Sequence, residues 1–240
     1  MSERENILGR IREALKVEAH LPGAHGGDDG SRRRESAHTD FNLRGLTSTA
    51  TEKRKWLPKV GETFDEQLAL FATNAAALKA DFQLLNSADE ARQAIIALRE
   101  KDNWQHIAGH SGDLTNAICP PLNLPMLRTD QAYDVQALEA CDVGISECDA
   151  LIAQTGTVLV TNRSAGGRAL SVLPPHHVVL ARREQLIADL PAAFELLQKK
   201  YAANYPSMIS FITGPSRTGD IERILVLGAH GPKKLTIICF

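Results

Sequence analysis

The chain has 240 residues, 43% of them hydrophobic and 23% charged, with a formal net charge of -2 at pH 7. That length supports one substantial α/β core or two small ones. The near-neutral balance implies no large basic surface, so neither nucleic acid nor membrane is an expected partner. No apolar run approaches the roughly 20 residues of a membrane helix, and Met1-Ser2-Glu3-Arg4-Glu5-Asn6 lacks the apolar core of a signal peptide. A cytoplasmic protein is the expectation.

In chain order, Ser2 and Glu5 fit a capping box, and Ile7, Leu8, Ile11 and Leu15 recur at helical spacing. An amphipathic helix over residues 1–20 follows, whose apolar stripe would pack on the main domain or on a neighbouring subunit of a homo-oligomer. Residues 21–50 read as a flexible linker, rich in Gly, Asp, Ser and Arg, with Arg32-Arg33-Arg34 as solvated charge. Residues 51–240 form the α/β domain. There, Thr63 and Glu66 can cap a helix through about Lys79, followed by a strand at Phe82–Leu85. Ser87 and Glu90 offer a second capping box for a helix to Glu100, and Gln105–Gly109 is the next strand. Further strands are expected at Asp142–Ser146, Thr157–Thr161 and His177–Arg182, and a helix over Glu184–Tyr201 with a local break at Pro191. Met208–Thr213, Ile224–Leu227 and Leu235–Phe240 close the chain as apolar runs. Runs apolar at every position suggest strands covered on both faces. The predicted class is therefore α/β, with a mostly parallel sheet flanked by helices.

The four cysteines, Cys119, Cys141, Cys148 and Cys239, include no Cys-x-x-Cys pair. Neither an iron–sulfur cluster nor a zinc ribbon is supported; no metal or cofactor is expected, and the thiols are read as reduced and buried.

In open parallel sheets, ligands gather beyond the carboxyl ends of strands, which directs attention to the loops after apolar runs. In Thr213–Glu222, two glycines and a proline shape a turn in which Ser216, Thr218 and Arg217 alternate. Freed backbone N–H groups with Gly214, the two hydroxyls and Asp220 nearby could hold an anion, with Arg217 giving a bidentate contact. The plainer reading is a turn in which Thr218 or Asp220 caps a following helix. Thr155-Gly156-Thr157 can present hydroxyls and an N–H to the same ligand, or simply turn the chain. Arg168 precedes His176-His177, whose side chains point to opposite faces if the segment is extended. One histidine is then structural and the other a donor or base, and His176 paired with Glu222 is taken as the proton-transfer candidate. His230 can reach the same crevice, and Glu147 and Asp149 are further acids close to these loops.

Taken together, Ala153–Val160, Gly167–Val179 and the run T-G-P-S-R-T-x-D-I-E from Thr213 to Glu222, followed by His230-Gly231-Pro232, resemble the LUD-domain family, which includes lactate-utilisation protein C. The resemblance spans roughly residues 60–240. It implies a fold like that of CoA transferases, ribose-5-phosphate isomerase and the formyltetrahydrofolate cyclo-ligases, whose relatives bind phosphate or carboxylate ligands at strand ends. It also implies a three-protein system oxidising lactate to pyruvate, in which this chain would be the cluster-free subunit and iron–sulfur proteins its partners. Gln154 departs from the family pattern, which places an acidic residue before Thr-Gly-Thr, and glutamine cannot act as a base. A stand-alone transferase, isomerase or ligase acting on a small acyl or phosphorylated compound is the alternative.

Overall fold

The structure, a computed structural model, describes residues 59–221, 224–228 and 230–240; the expected helix over 1–20 and linker over 21–50 lie outside them. Helix α1, Phe64–Ala77, begins as expected: Thr63 Oγ1 accepts the Glu66 N–H at 3.3 Å, and the Glu66 carboxylate accepts the Thr63 N–H at 3.0 Å. After β1, Asp81–Leu84, helix α2, Ala88–Asp102, starts with the Ser87 hydroxyl accepting the Glu90 N–H. The Glu90 carboxylate reaches back one residue further than a capping box requires, to the Asn86 N–H at 2.9 Å. β2 is Ile107–Gly109, α3 Asp113–Ile118, β3 Met126–Arg128, α4 Val135–Glu139 and β4 Val143–Glu147. β5, Ala150–Ile152, and β6, Thr157–Thr161, precede β7, His176–Ala181. β8 is Leu186–Ile187, α5 Leu190–Tyr201, β9 Ile209–Ile212, β10 Arg217–Ile221, β11 Ile224–Leu227 and β12 Lys234–Cys239.

Six strands, in the order β1-β12-β7-β4-β2-β3, form an all-parallel sheet. Its central strands are buried on both faces, all six residues of β7 included, which is why they read as uninterrupted apolar runs. On one face Ile95, Leu98 and Trp104 of the α2 region and Ile118 of α3 pack on Val143, Ile145, Val178 and Leu180. The other face, through Val179, Ala181, Leu235 and Ile237, meets Phe71 and Ala75 of α1 and Leu151, Val158 and Val160 of a second sheet. Each such fully buried aliphatic side chain contributes about 1.5–3 kcal/mol. The second sheet has the order β8-β5-β6-β9, and α5 covers its far side with Ala193 and Leu197. The fold is thus α/β with a mostly parallel sheet between helices, as expected.

Three expectations change. The helix predicted over Glu184–Tyr201 begins only at Leu190, because Asp189 caps it and Pro191 sits in its first turn, where no N–H is needed; β8 takes the residues before it. Met208–Thr213 supplies β9, an edge strand of the second sheet antiparallel to β6; its residues are half-buried or exposed rather than covered on both faces, because an apolar run does not by itself fix how many neighbours a strand has. The segment Thr213–Glu222, read as a loop, is half strand: β10 pairs antiparallel with β11 as a two-stranded ribbon. Among the described residues, no helix follows Thr218 for it to cap. Among the described residues, no helix is long and apolar enough to cross a membrane.

Candidate functional site

Between the two sheets lies a cavity of about 220 Å³ lined by Ser171, His177, Ser210, Thr213, Gly214, Ser216 and His230, with Ile212, Leu235, Val172 and three prolines and glycines completing its wall. Its position departs from the strand-end rule. It adjoins the amino-terminal ends of β7 and β12, and loop 213–216 enters it from β9 of the second sheet. Backbone hydrogen bonds hold that loop in place: Ser216 N–H donates to the Pro232 carbonyl at 2.9 Å, and Gly228 N–H to the Ser216 carbonyl at 2.8 Å. The packing is close enough that a Cβ on Gly231 would stand 3.1 Å from Ser216 Cβ. The segment T-G-P-S and the H-G-P run are therefore joined in space through Ser216 and Pro232.

His176 and His177 point to opposite faces of β7, as strand alternation demands. The cavity receives His177, not His176. His177 is 1% exposed, its Nε2 lies 2.8 Å from Ser146 Oγ on β4, and its Nδ1 is buried without a hydrogen-bond partner among the described residues. Burial, then the neighbouring His176, pushes its pKa down to about 3, so the ring is neutral and offers one donor and one acceptor. His176, the residue assigned proton transfer, faces α2. Its Nε2 is 2.9 Å from Thr236 Oγ1, its Nδ1 3.3 Å from the Asp102 carboxylate, and its ring meets Trp104 edge-on at 5.4 Å. Burial lowers its pKa to about 4, against the pull of Asp102. Asp102 also accepts from Lys234 Nζ at 2.8 Å. That neighbourhood, with Asp142 and Lys233, lines a separate cavity of about 220 Å³.

The remaining candidates divide. Gly214, Ser216 and His230 line the His177 cavity. Arg217 is exposed and its guanidinium turns back towards its own loop, 3.4 Å from the Thr213 carbonyl. Arg168 donates to the Ser207 carbonyl at 2.7 Å. Thr157 Oγ1 meets Thr213 Oγ1 at 2.9 Å, which ties the Thr-Gly-Thr turn to the cavity loop without lining it. Thr155 Oγ1 is buried without a partner among the described residues. The glycines serve helix packing: at φ +62 a Cβ on Gly156 would lie 2.6 Å from Ala75 N, and at φ +84 one on Gly214 would lie 2.7 Å from the Leu78 carbonyl. Gln154 is buried, with its N–H on the Ala188 carbonyl and its own carbonyl accepting from Asn74. Glu222 and the side chains of Thr218 and Asp220 lie outside the description.

Neither nearby acid reaches the cavity. Glu147 Oε1 accepts the N–H groups of Leu114 at 2.8 Å and Thr115 at 3.0 Å, capping α3, whose own cap is Gly112. Asp149 is buried and accepts from Ser164 Oγ, Lys200 Nζ and Tyr201 Oη, each at 2.6 Å. Burial raises its pKa, but these three donors outweigh it and hold the carboxyl below its ordinary value. Ser146, Ser171 and Ser210 were missed: isolated serines in apolar runs carry no local signal. Among the described residues the cavity wall has no lysine or arginine, so it offers hydrogen bonds rather than an ion pair.

An all-parallel six-stranded sheet backed by a smaller mixed sheet, with a hydroxyl-lined cavity between them, defines the class as α/β. Residues 68–239 match the description of the LUD domain, and the chain belongs to the LUD-domain family. It is 37% identical over 105 residues to lactate utilization protein C of Anoxybacillus flavithermus, covering 44% of this chain and 46% of that one. Lactate utilization protein C 1 of Bacillus mycoides is 34% identical, with 45% and 47% covered. The chain thus spans about half the length of these two relatives. Against lactate utilization protein C of Shouchella clausii, identity is 30% over 186 residues, with 72% of this chain and 79% of that one covered. The crystal structure of a DUF162 family protein from Deinococcus radiodurans superposes with a TM-score of 0.59 at 19% identity, covering 75% of this chain and 99% of that one; it supports the fold.

Proposed function

We propose that this chain serves lactate utilisation as a cluster-free subunit that binds a small anionic ligand in the His177 cavity. The relatives' names support the pathway. The observation carrying the site is the convergence of Ser216, His230, Ser171 and the buried, neutral His177 on one cavity. Four hydroxyls and two imidazoles, with no lysine or arginine among the described wall residues, suit a singly charged carboxylate better than a phosphate, whose two charges would lack a counter-ion. Iron–sulfur proteins of the same system are the proposed partners.

Calorimetric titration with L-lactate, pyruvate and inorganic phosphate tests the site. Binding of a monocarboxylate is expected, and Ser216→Phe, which fills the cavity, weakens it at least ~10-fold, equivalent to about 1.4 kcal/mol. A melting curve for the variant separates a blocked cavity from a lost fold. No heat with any of the three compounds at millimolar concentration overturns the assignment.

A further inference from the structure

Among the described residues, β9 pairs only with β6 and forms one edge of the second sheet. The Asn162 N–H donates to the Met208 carbonyl, and the register pairs Thr161 with Ile209 and Leu159 with Phe211. Antiparallel alternation then turns the N–H and C=O groups of Ile209 and Phe211 away from β6, towards the open edge. Edge strands are ordinarily protected by charge, proline or a bulge. Here the sequence carries no charged residue from Ala202 to Ser216; Arg163 and Arg168 hold the carbonyls of Asn204 and Ser207 ahead of the strand, and Arg217 turns to the Thr213 carbonyl after it. Beside that edge stands an apolar patch. Ile209 is 37% exposed, Tyr205 52% and Phe194 60%, and the Phe194 ring lies 5.6 Å from Phe211.

We propose that β9 is a docking edge for a second copy of this chain, paired antiparallel across a two-fold axis at Ser210. The edge is self-complementary about that residue. Ile209 of one copy faces Phe211 of the other, and each such pair exchanges both N–H···O bonds. The uncharged run brings no like charges together, and the two exposed Phe194 side chains are carried to the same side, against the facing Ile209 and Phe211. Both faces of the strand then have work: Phe211 extends the apolar layer under α5, while Ser210 and Ile212 line the His177 cavity. The axis therefore places the two cavities on either side of one shared strand pair.

Ser210 would meet its counterpart as a non-hydrogen-bonded pair with Cα atoms about 4.5 Å apart, inside the roughly 4.4–6.8 Å range of disulfides. Ser210→Cys is therefore expected to form a covalent dimer under mild oxidation, and Ser207→Cys, off the axis, to form little. The native cysteines are all buried and do not compete. Light scattering at about 20 μM should give a dimer mass. Ile209→Lys and, on the exposed helix face, Phe194→Glu should each weaken association at least ~10-fold with the melting temperature of the monomer retained. A monomer mass for the full chain, or a dimer that Ser210→Cys does not cross-link and Phe194→Glu does not weaken, overturns the proposal.

Discussion

Lowering the pH from about 7.5 to about 5 charges histidines in the unfolded chain but leaves His176 and His177 neutral in the folded one. Their ordinary value is 6.5, and burial lowers it to about 4 and about 3 in the native state. A folded pKa below the unfolded one means that the unfolded state binds the extra proton. Native stability is therefore full above about 6.5 and is lost as pH falls towards 4 and 3. Each pH unit costs about 1.4 kcal/mol per histidine, so at pH 5, roughly 1.5 units below the unfolded value, the pair costs about 4 kcal/mol. Against a usual net stability of about 5–15 kcal/mol that loss is large. Carboxylates do not mask it. Asp102 and Asp149 sit below their ordinary 3.8, so what they contribute falls away only at lower pH. His110, lowered mainly by burial, adds in the same direction. Urea unfolding at pH 7.5, 6 and 5 measures the effect, and His176→Gln and His177→Gln should each remove about half of the pH dependence attributed to the pair, whatever they cost at pH 7.5. A stability unchanged within about 0.5 kcal/mol between pH 7.5 and 5 would refute the burial argument.

Gly156→Ala should destabilise by about 1–3 kcal/mol, because it adds a side chain at positive φ and drives a Cβ into the last turns of α1; thermal melting checks it, and an unchanged melting temperature contradicts it. Asp149→Asn removes a charged acceptor from Ser164, Lys200 and Tyr201 and should cost about 2–3 kcal/mol in the same assay, the exposed Lys200 keeping the loss below that of a fully buried pair. All four thiols are buried, and burial raises Cys119 to about 12 and Cys239 to about 11. A thiol reagent at pH 8 should leave the native protein unlabelled over minutes and modify four groups in urea; fast labelling of any one of them would place that cysteine at the surface.

Much of the scaffold was legible because its signals are local. Thr63 with Glu66 marks the start of α1 through hydrogen bonds made within one turn, and the apolar runs of β6, β7 and β12 mark strands because each is buried on both faces. β3, β5 and β8 escaped notice: each is two or three residues long, too short for a periodicity to register. The helix start at Leu190 was hidden by Glu184–Ile187, whose composition suits a helix, but Glu184 and Gln185 belong to a 3-10 turn and Leu186 and Ile187 pair with β5.

For the candidate site, sequence was sufficient to single out Gly214, Ser216 and His230 and to place the two histidines on opposite faces of one strand. It could not say which histidine joins Ser216 and His230, since each face of β7 adjoins a cavity of about 220 Å³. That depends on whether α2 or the second sheet covers each histidine, and so on contacts between residues as distant in sequence as His176 and Asp102, or His177 and Ser146. The same distance explains Gly156 and Glu147, whose partners are the end of α1 and the start of α3, whereas Arg217 turns back to a carbonyl of its own loop, four residues away. Residue type and spacing determine what a strand or turn can offer. Only the packing of sheet against sheet decides where the offer is used, because a side chain's partner is chosen by proximity in space.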